Sequence, residues 1–182
     1  LNNDTTITLR PTMWSDEGVK VGGGILGTVT YHRKLKGEGL DYERDVIVWL
    51  PPSYETDSAK RYPVLYMHDG QNIVDPNTSF IGYDWHVDEV AESLIKFNKM
   101  KEIIVVGINN SPDRSPEYAA TKKGEAYQKF IVEMLKPMID KEYRTIPDRE
   151  NTAVMGSSMG GLASFLLVWN YPEVFSMAGC LS

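Results

Sequence analysis

The strongest constraint on the fold of this chain is the stretch NTAVMGSSMGGLASFLLVWN, which runs from Asn151 to Asn170. A short apolar run, Thr152 to Met155, leads into the sequence Gly156-Ser157-Ser158-Met159-Gly160. Apolar residues then recur at helical spacing, at Leu162, Phe165, Leu166 and Trp169. This order predicts a strand, a tight turn and a helix.

The glycine spacing within this turn singles out Ser158, in a G-x-S-x-G frame. A serine on a sharp strand-to-helix turn needs very small residues two positions before and after it, because the backbone and the helix approach closely there. Gly156 and Gly160 meet that need. The free N–H groups at the start of a helix also favour a developing oxyanion. The alternative is a glycine-rich turn without chemistry, but the flanking strand and helix and the adjacent Gly161 favour a nucleophile.

Strand and helix patterns alternate along the rest of the chain. Strands are predicted at Thr28–His32, Val46–Leu50, Arg61–Asp69, Ile103–Ile108 and Val174–Leu181, and helices at Val87–Ile95 and Tyr127–Ile139, with a kink or break at Pro137. The alternation predicts an α/β fold: a mostly parallel sheet with helices on both faces and an antiparallel portion from the early strands. Residues 1–182, with 42% hydrophobic content, are expected to form a single domain.

Charge and apolar patterning exclude several classes of partner. Lys and Arg number 19 against 25 Asp and Glu, giving a net charge of -6 without a basic cluster, which argues against nucleic acid and anionic membrane surfaces. No apolar stretch approaches membrane-spanning length. The single cysteine, Cys180, lies in an apolar run and is expected to be buried, with no intrachain disulfide. Because the sequence begins at Leu1 rather than methionine, localisation stays open.

No cofactor or metal is predicted. Gly22, Gly24 and Gly27 satisfy the dinucleotide pattern G-x-G-x-x-G, but a strand follows them where that fingerprint requires a helix. A flexible turn between strands is the better interpretation. The acidic residues that invite a metal interpretation fit no compact ligand spacing and are expected to be solvated loop carboxylates: Asp69, Asp75, Asp84 and Asp88.

Two backbone N–H groups are predicted to form an oxyanion hole. In an open α/β sheet, reacting groups collect at the carboxyl ends of the strands, so the loops His68–Asn72 and Asn109–Tyr118 should face Ser158. Acyl transfer needs a donor from the residue after the nucleophile, Met159, and another from an earlier loop. Because Gly70 lets the backbone turn close to the site, we expect the second donor to be the Gln71 N–H.

Several motifs together resemble the putative-esterase family of α/β-hydrolases: RYPVLYMHDGQN, the following Trp85, EIIVVGINN, SPEY at 115–118 and GSSMGG. This family includes siderophore trilactone esterases, feruloyl and acetylxylan esterases, S-formylglutathione hydrolases and mycolyltransferases. The resemblance spans about Val46 to Ser182. It implies an α/β-hydrolase fold, a small-molecule or polymer-linked ester as substrate, Ser158 as nucleophile, and Met159 and Gln71 as oxyanion donors. Siderophore and plant-polymer esterases look nearest, which makes Trp85, Arg114 and Glu117 candidate substrate contacts.

The chain departs from the family in the rest of the triad. Family members place the acid and then the histidine after the nucleophile, beyond the strand that follows the helix after the nucleophile. Here the sequence ends at Ser182, so those C-terminal strands are missing, and all three histidines precede Ser158. His68, at the end of a neighbouring strand, and His86 are weak candidates for the base, and His32 is weaker. Each is more often a surface or loop-bracing residue.

Three interpretations remain open. The segment is part of a serine esterase whose acid and histidine lie outside it; or it is a complete product that forms a homo-oligomer through its unfinished sheet edge; or it is a non-catalytic binding or structural domain. Without a base, a serine is a poor nucleophile at neutral pH. The natural ester and its acyl acceptor stay open at this stage.

Overall fold

The computed structural model describes residues 5–9 and 24–182, which form one seven-stranded sheet covered by helices. The strands in chain order are β1 (Thr5–Leu9), β2 (Gly27–Leu35), β3 (Arg44–Leu50), β4 (Val64–His68), β5 (Ile104–Ile108), β6 (Thr152–Ser157) and β7 (Met177–Leu181). Their spatial order is β1-β2-β3-β5-β4-β6-β7. The predicted α/β class is confirmed.

Most helices lie where the sequence periodicity predicts them, but a four-residue helix forms within the predicted loop Asn109–Tyr118. The helices are α1 (Val87–Lys96), α2 (Arg114–Glu117), α3 (Lys122–Lys129), α4 (Lys136–Glu142) and α5 (Met159–Asn170), with 3-10 turns at Gly70–Asn72 and Arg149–Asn151. A π-helical segment, Phe130–Leu135, joins α3 to α4. Pro137 lies in the first turn of α4, where its missing N–H is tolerated, so the predicted break falls at the π segment.

The sheet has a parallel half and an antiparallel half. Strands β5, β4, β6 and β7 run parallel, and β1, β2, β3 and β5 pair antiparallel. Among the described strands the two kinds of pairing are equal in number, so the antiparallel portion built by the early strands is larger than the sequence indicated. Apolar runs reveal a buried strand but not the direction of its neighbour, which explains the difference.

Two apolar cores lie on opposite faces of this sheet. Along β3, Val46 and Val48 face one core while Ile47 and Trp49 face the other, as the two-residue period of a strand requires. The first core is covered by the α3–α4 segment and α5, through residues including Tyr127, Ile131, Ile139, Ala163 and Leu167. The second is covered by α1 and the segment after β4, through residues including Ile73, Val74 and Ala91. Helices on both faces are therefore confirmed.

Strand β7 forms an edge of the described sheet, because it pairs only with β6. Met177 and Leu181 are about half exposed, and Cys180 is exposed as well. The expectation of a buried thiol is therefore wrong: Cys180 lies in an apolar run, but no described residue covers that strand's outer side. No helix within residues 5–9 and 24–182 is long and apolar enough to cross a membrane.

The glycine pattern before β2 is only partly described. Gly22 lies outside the described residues, whereas Gly27 opens β2 with a φ of 90°. A strand rather than a helix follows this pattern, as the sequence interpretation required.

Candidate active site

Ser158 occupies the turn between β6 and α5 with a strained backbone. Its φ of 55° and ψ of −122° fall in a region that residues with a side chain rarely adopt. Its N–H donates to the Leu181 carbonyl oxygen at 2.8 Å, and its own carbonyl accepts from the Gly161 N–H at 2.9 Å. These bonds hold the conformation while the residue itself stays exposed at the start of α5.

The two glycines that flank Ser158 allow this turn to be so tight. A Cβ on Gly156 would lie 2.5 Å from the carbonyl carbon of Gly160. A Cβ on Gly160 would in turn lie 3.3 Å from both Asp69 Oδ2 and His68 Cβ. Helix α5 therefore begins in direct contact with the end of β4.

The Gly70–Asn72 turn lies beside the start of α5 because β4 and β6 are parallel neighbours. Met67 pairs with Met155 in their register, so the carboxyl ends of both strands meet at one edge of the sheet. Gly70 brings the turn against β5 as well: a Cβ there would lie 2.4 Å from the carbonyl carbon of Gly107. The structure thus brings the segments of Gln71 and Met159 to the same rim.

The backbone N–H groups of Gln71 and Met159 are both helix-start donors. Each lies in the first turn of its helix, where an N–H has no acceptor in that helix. Among residues 24–182, neither N–H donates to a backbone oxygen elsewhere. Both are therefore available to an anionic atom on this rim, whereas the Gln71 side chain is engaged, since its Oε1 accepts from the Asn110 N–H at 3.1 Å.

Arg114 binds the carboxylate that precedes the Gln71 turn. Its Nε donates to Asp69 Oδ1 at 2.7 Å and its Nη2 donates to Asp69 Oδ2 at 2.8 Å. Asn110 Nδ2 donates to the same Oδ1 at 2.7 Å. Hydrogen bonding to Asp69 raises the pKa of the Arg114 guanidinium, so it carries its charge throughout the accessible pH range. The sequence placed Arg114 on the rim but did not reveal this pairing.

Glu117 lies in the interior and not on the rim. Its carboxylate accepts two hydrogen bonds from Arg44, at 3.0 and 2.8 Å, and one from the Ser111 hydroxyl at 2.8 Å. Neither side chain of the Arg44–Glu117 pair is accessible to solvent. A carboxylate engaged in this way cannot reach a substrate on the rim, so the structure gives Glu117 a bracing role in place of the predicted substrate contact.

Trp85 lies at the end of an apolar loop that Asn72 closes. The Trp85 N–H donates to the Asn72 carbonyl at 2.7 Å, and the Phe80 N–H donates to Asn72 Oδ1 at 2.9 Å. This loop exposes four large apolar side chains, with relative exposures between 37 and 90%: Phe80, Ile81, Tyr83 and Trp85. The sequence singled out Trp85 alone and missed its three neighbours, whose unusual density of apolar side chains in a loop was the available signal.

The histidines are engaged elsewhere. His68 is completely buried and shares a hydrogen bond of 2.8 Å between Nδ1 and the Tyr127 hydroxyl. Burial lowers the pKa of His68 to about 4, so its imidazole is neutral at pH 7. His32 is buried against the Tyr143 hydroxyl, at 2.7 Å. His86 precedes α1, and within residues 24–182 no hydrogen bond connects any histidine to Ser158.

Three of the four acidic residues that were expected to be solvated loop carboxylates are buried: Asp69, Asp84 and Asp88 are at most 8% exposed, and Asp88 lies within α1. That expectation is therefore wrong for these three. Asp69 is paired with Arg114, and Asp75 accepts from its own turn at Asn77. Asp84 accepts from the His86 N–H at 2.9 Å. Asp84, His86 and Glu89 each bring one ligand atom within 4.8 Å of the others, a grouping that the sequence did not indicate and that lies at the exposed start of α1.

An open apolar depression lies beside Ser158. It is lined by Met159, Leu162, Phe165, Cys180 and Leu181, with Ser158 and Ser182 at its border. Phe165 stacks on Trp169 along the same face of α5, with ring centroids 5.9 Å apart. Apolar side chains and the free edge of β7 therefore extend from the serine across one side of the molecule. This exposed apolar surface could not be predicted from the sequence, because the same residues are expected in a buried core.

A family model described as "Putative esterase" matches residues 37–182. The chain is 34% identical over 141 residues to an endo-1,4-beta-xylanase/feruloyl esterase of Xylanibacter ruminicola. That alignment covers 74% of this chain and 19% of the relative. The chain is also 26% identical over 151 residues to the uncharacterized protein YbbA of Bacillus subtilis, covering 76% of this chain and 56% of that one. The chain thus spans about half or less of the length of these curated relatives.

A solved structure of a ferulic acid esterase superposes with a TM-score of 0.68 at 30% identity. That superposition covers 85% of this chain and 58% of the other. A TM-score of 0.68 over 85% of this chain means that the two proteins share a fold. It gives independent support to an α/β-hydrolase-type fold.

Proposed function

Because the chain belongs to the putative-esterase family, we propose that it is the nucleophile-bearing part of a serine carboxylic ester hydrolase. The observation that carries the proposal is the strained, exposed Ser158 at the start of α5, directly beside the Gly70–Asn72 turn. A strained residue on a strand-to-helix turn is the geometry in which hydrolases present a nucleophilic serine. Ser158 is therefore the nucleophile of the proposed reaction.

The reaction proceeds through an acyl-enzyme. The Ser158 Oγ attacks the carbonyl carbon of the ester while a general base takes its proton, and a tetrahedral oxyanion forms. The N–H groups of Met159 and Gln71 donate to that oxyanion, supported by the positive end of the α5 dipole. The intermediate collapses, the alcohol leaves with a proton, and water then hydrolyses the acyl-Ser158 ester by the reverse sequence of proton transfers.

The base and acid of this reaction lie outside residues 24–182. The three histidines of the sequence precede Ser158, and the hydrogen bonds and ion pairs described for them within residues 24–182 lead to other residues. The apolar face of α5 and the free edge of β7 adjoin Ser158, so further strands that carry the histidine and acid would fit there, either from the rest of the same polypeptide or from the corresponding part of a second copy in a homo-oligomer.

The substrate we propose is a carboxylic ester of an aromatic acid, either free or linked to a polymer. The relatives whose names carry feruloyl or ferulic acid esterase activity support this class. The exposed aromatic loop that ends at Trp85 continues directly from the Gln71 turn, and its rings offer a contact surface for an aromatic acyl group. Of the three substrate contacts that the sequence suggested, Trp85, Arg114 and Glu117, the proposal keeps only Trp85.

A second candidate, a non-catalytic binding or structural domain, is favoured by one observation: no described histidine contacts Ser158. Hydrolysis of p-nitrophenyl acetate by the protein from its complete reading frame distinguishes the two. We expect turnover by the wild type, a loss of at least about a thousandfold in Ser158→Ala, and little change in the adjacent control Ser157→Ala. A wild type without turnover, or equal loss in both variants, favours the non-catalytic domain.

A further inference from the structure

We propose that Arg114 is a positioning residue for the oxyanion hole, which acts through Asp69 on the turn that carries the Gln71 N–H. The inference rests on the proposed function of the site, and it replaces the direct substrate contact that the sequence indicated for Arg114.

The contact between Arg114 and Asp69 is geometrically restrictive. The planar guanidinium donates through Nε and Nη2 to the two carboxylate oxygens, at 2.7 and 2.8 Å. Two parallel hydrogen bonds fix the plane of the carboxylate as well as its position. Asp69 is 3% exposed and Arg114 keeps 30% of its side chain accessible, so the pair is shielded on the Asp69 side.

Asp69 connects this pair to the turn. It has a left-handed backbone, with φ 58° and ψ 44°, which directs the chain from β4 into the Gly70–Asn72 turn. Its carbonyl accepts from the Asn72 N–H at 2.9 Å, and its N–H donates to the Tyr118 hydroxyl at 3.1 Å. The orientation of the peptide between Gly70 and Gln71, and hence of the Gln71 N–H, depends on a residue whose side chain Arg114 holds.

Asn110 strengthens the same connection from a second direction. Its side-chain amide donates to Asp69 Oδ1 at 2.7 Å, and its backbone N–H donates to Gln71 Oε1 at 3.1 Å. The side chains at both ends of the segment Asp69-Gly70-Gln71 are thereby attached to the 109–118 loop. These bonds restrict the movement of the turn relative to that loop.

The 109–118 loop is itself anchored in the core. Glu117, at the end of α2, binds Arg44 of β3 through two hydrogen bonds, and the Ser111 hydroxyl donates to the same carboxylate. The Arg114 N–H donates to the Ser111 carbonyl at 3.0 Å. A set of hydrogen bonds thus extends from β3 through α2 to the oxyanion turn, and Arg114 is a partly exposed member of it.

The two roles of Arg114 predict opposite kinetics. A direct substrate contact would raise KM when it is removed, while a positioning residue lowers kcat, because the oxyanion exists only in the transition state. Loss of one oxyanion donor costs about a hundredfold to a thousandfold in kcat, so a misplaced donor should cost about tenfold to a hundredfold.

The test uses the protein from its complete reading frame, with p-nitrophenyl acetate as substrate and the variants Arg114→Met, Asp69→Asn and their double mutant. We expect Arg114→Met to lower kcat about tenfold or more with KM within about twofold. The loss in the double variant should be no larger than in Asp69→Asn alone, since both act through one contact. Arg33→Met is the matched control, because it removes another arginine–aspartate pair, with Asp45 at 2.6 Å, on the exposed part of β2.

A second readout does not require activity: the amide resonances of Gln71 and Asn72 in a proton–nitrogen correlation spectrum. We expect both to shift in Arg114→Met and Asp69→Asn and to stay in place in Arg33→Met. Unchanged resonances, a rise in KM without a fall in kcat, or full additivity in the double variant would overturn the positioning role. An inactive wild type would count against the proposed function. In that case the amide shifts alone test whether Arg114 positions the turn.

Discussion

Gly156 packs so closely against the backbone of Gly160 that position 156 has no room for a Cβ atom. The Cβ that Gly156 lacks would lie 2.5 Å from the carbonyl carbon and oxygen of Gly160 and 2.9 Å from its Cα. All three are backbone atoms, so no side-chain rotation can relieve the overlap. The strained conformation of Ser158, between them, depends on this contact.

The two glycines should therefore differ in their sensitivity to alanine. We expect Gly156→Ala to lower the free energy of unfolding by about 3 kcal/mol or more, because the backbone of α5 has to move. Gly160→Ala should cost about 1 to 2 kcal/mol, since its Cβ meets Asp69 and His68 at 3.3 Å, where small shifts suffice. Urea unfolding of both variants measures the difference. Equal losses would contradict this account of the turn.

The buried pair of Arg44 and Glu117 should be essential to the fold although it lies outside the reacting groups. Glu117→Leu leaves a guanidinium buried without its partner, and we expect it to cost about 3 to 5 kcal/mol in unfolding free energy. Replacing both residues, as Arg44→Met with Glu117→Leu, should recover most of that loss, because an apolar pair needs no compensation.

The exposed pair of Arg33 and Asp45 provides the contrast for this prediction. Its side chains are 42 and 27% accessible, so Arg33→Met should cost at most about 1 kcal/mol. Thermal and urea unfolding of these variants check the ranking. A double variant as unstable as Glu117→Leu alone would show that the Arg44–Glu117 pair is not simply an ion pair in need of its partner.

Asp88 should make the stability of the protein depend on pH. Burial, together with a hydrogen bond to Glu89, raises the pKa of the Asp88 carboxyl from 3.8 to about 8, while the Leu26 N–H donates to its Oδ2 at 2.6 Å. Between these two values the folded state keeps a proton that the unfolded state has lost. Stability contributed by this group is therefore present below about pH 4 and is lost as the pH rises towards 8.

Asp88→Asn should remove this dependence. We expect the variant to match the wild type near pH 4 and to exceed it by about 2 kcal/mol near pH 8, where the wild-type carboxyl has to ionise in the interior. Glu92 is a partly exposed residue on the same helix, so Glu92→Gln should leave the pH dependence of the unfolding free energy unchanged. If the unfolding free energy of the wild type rises between pH 5 and 8 relative to that of Asp88→Asn, the prediction is wrong.

The sequence predicted the elements around Ser158 well because local patterns determine them. Buried strands such as Ile104–Ile108 appear as continuous apolar runs, and the glycine spacing around Ser158 is imposed by contacts within the turn itself. The alternation of strands and helices then limits the fold to an α/β class. These features depend on residues that are close together in the chain, so a single sequence is enough to predict them.

Long-range partners could not be predicted in the same way. In the sequence, Glu117 looks like an ordinary charged residue on the surface of a helix. Its bracing role becomes visible only in the structure, where Arg44, 73 positions earlier in the chain, binds it. The role of Arg114 likewise depends on Asp69, 45 positions away. Cys180 was expected to be buried because its neighbours are apolar, but exposure depends on what covers an edge strand. Pairing across elements carries no local signature.

Covalent labelling shows whether Ser158 is the nucleophile. The protein from its complete reading frame is treated with a fluorophosphonate, and the modified residue is located by peptide mass spectrometry. We expect a single adduct on Ser158, absent from Ser158→Ala and retained in Ser157→Ala. A wild type that takes no label, or an adduct that persists in Ser158→Ala, would rule out Ser158 as the nucleophile.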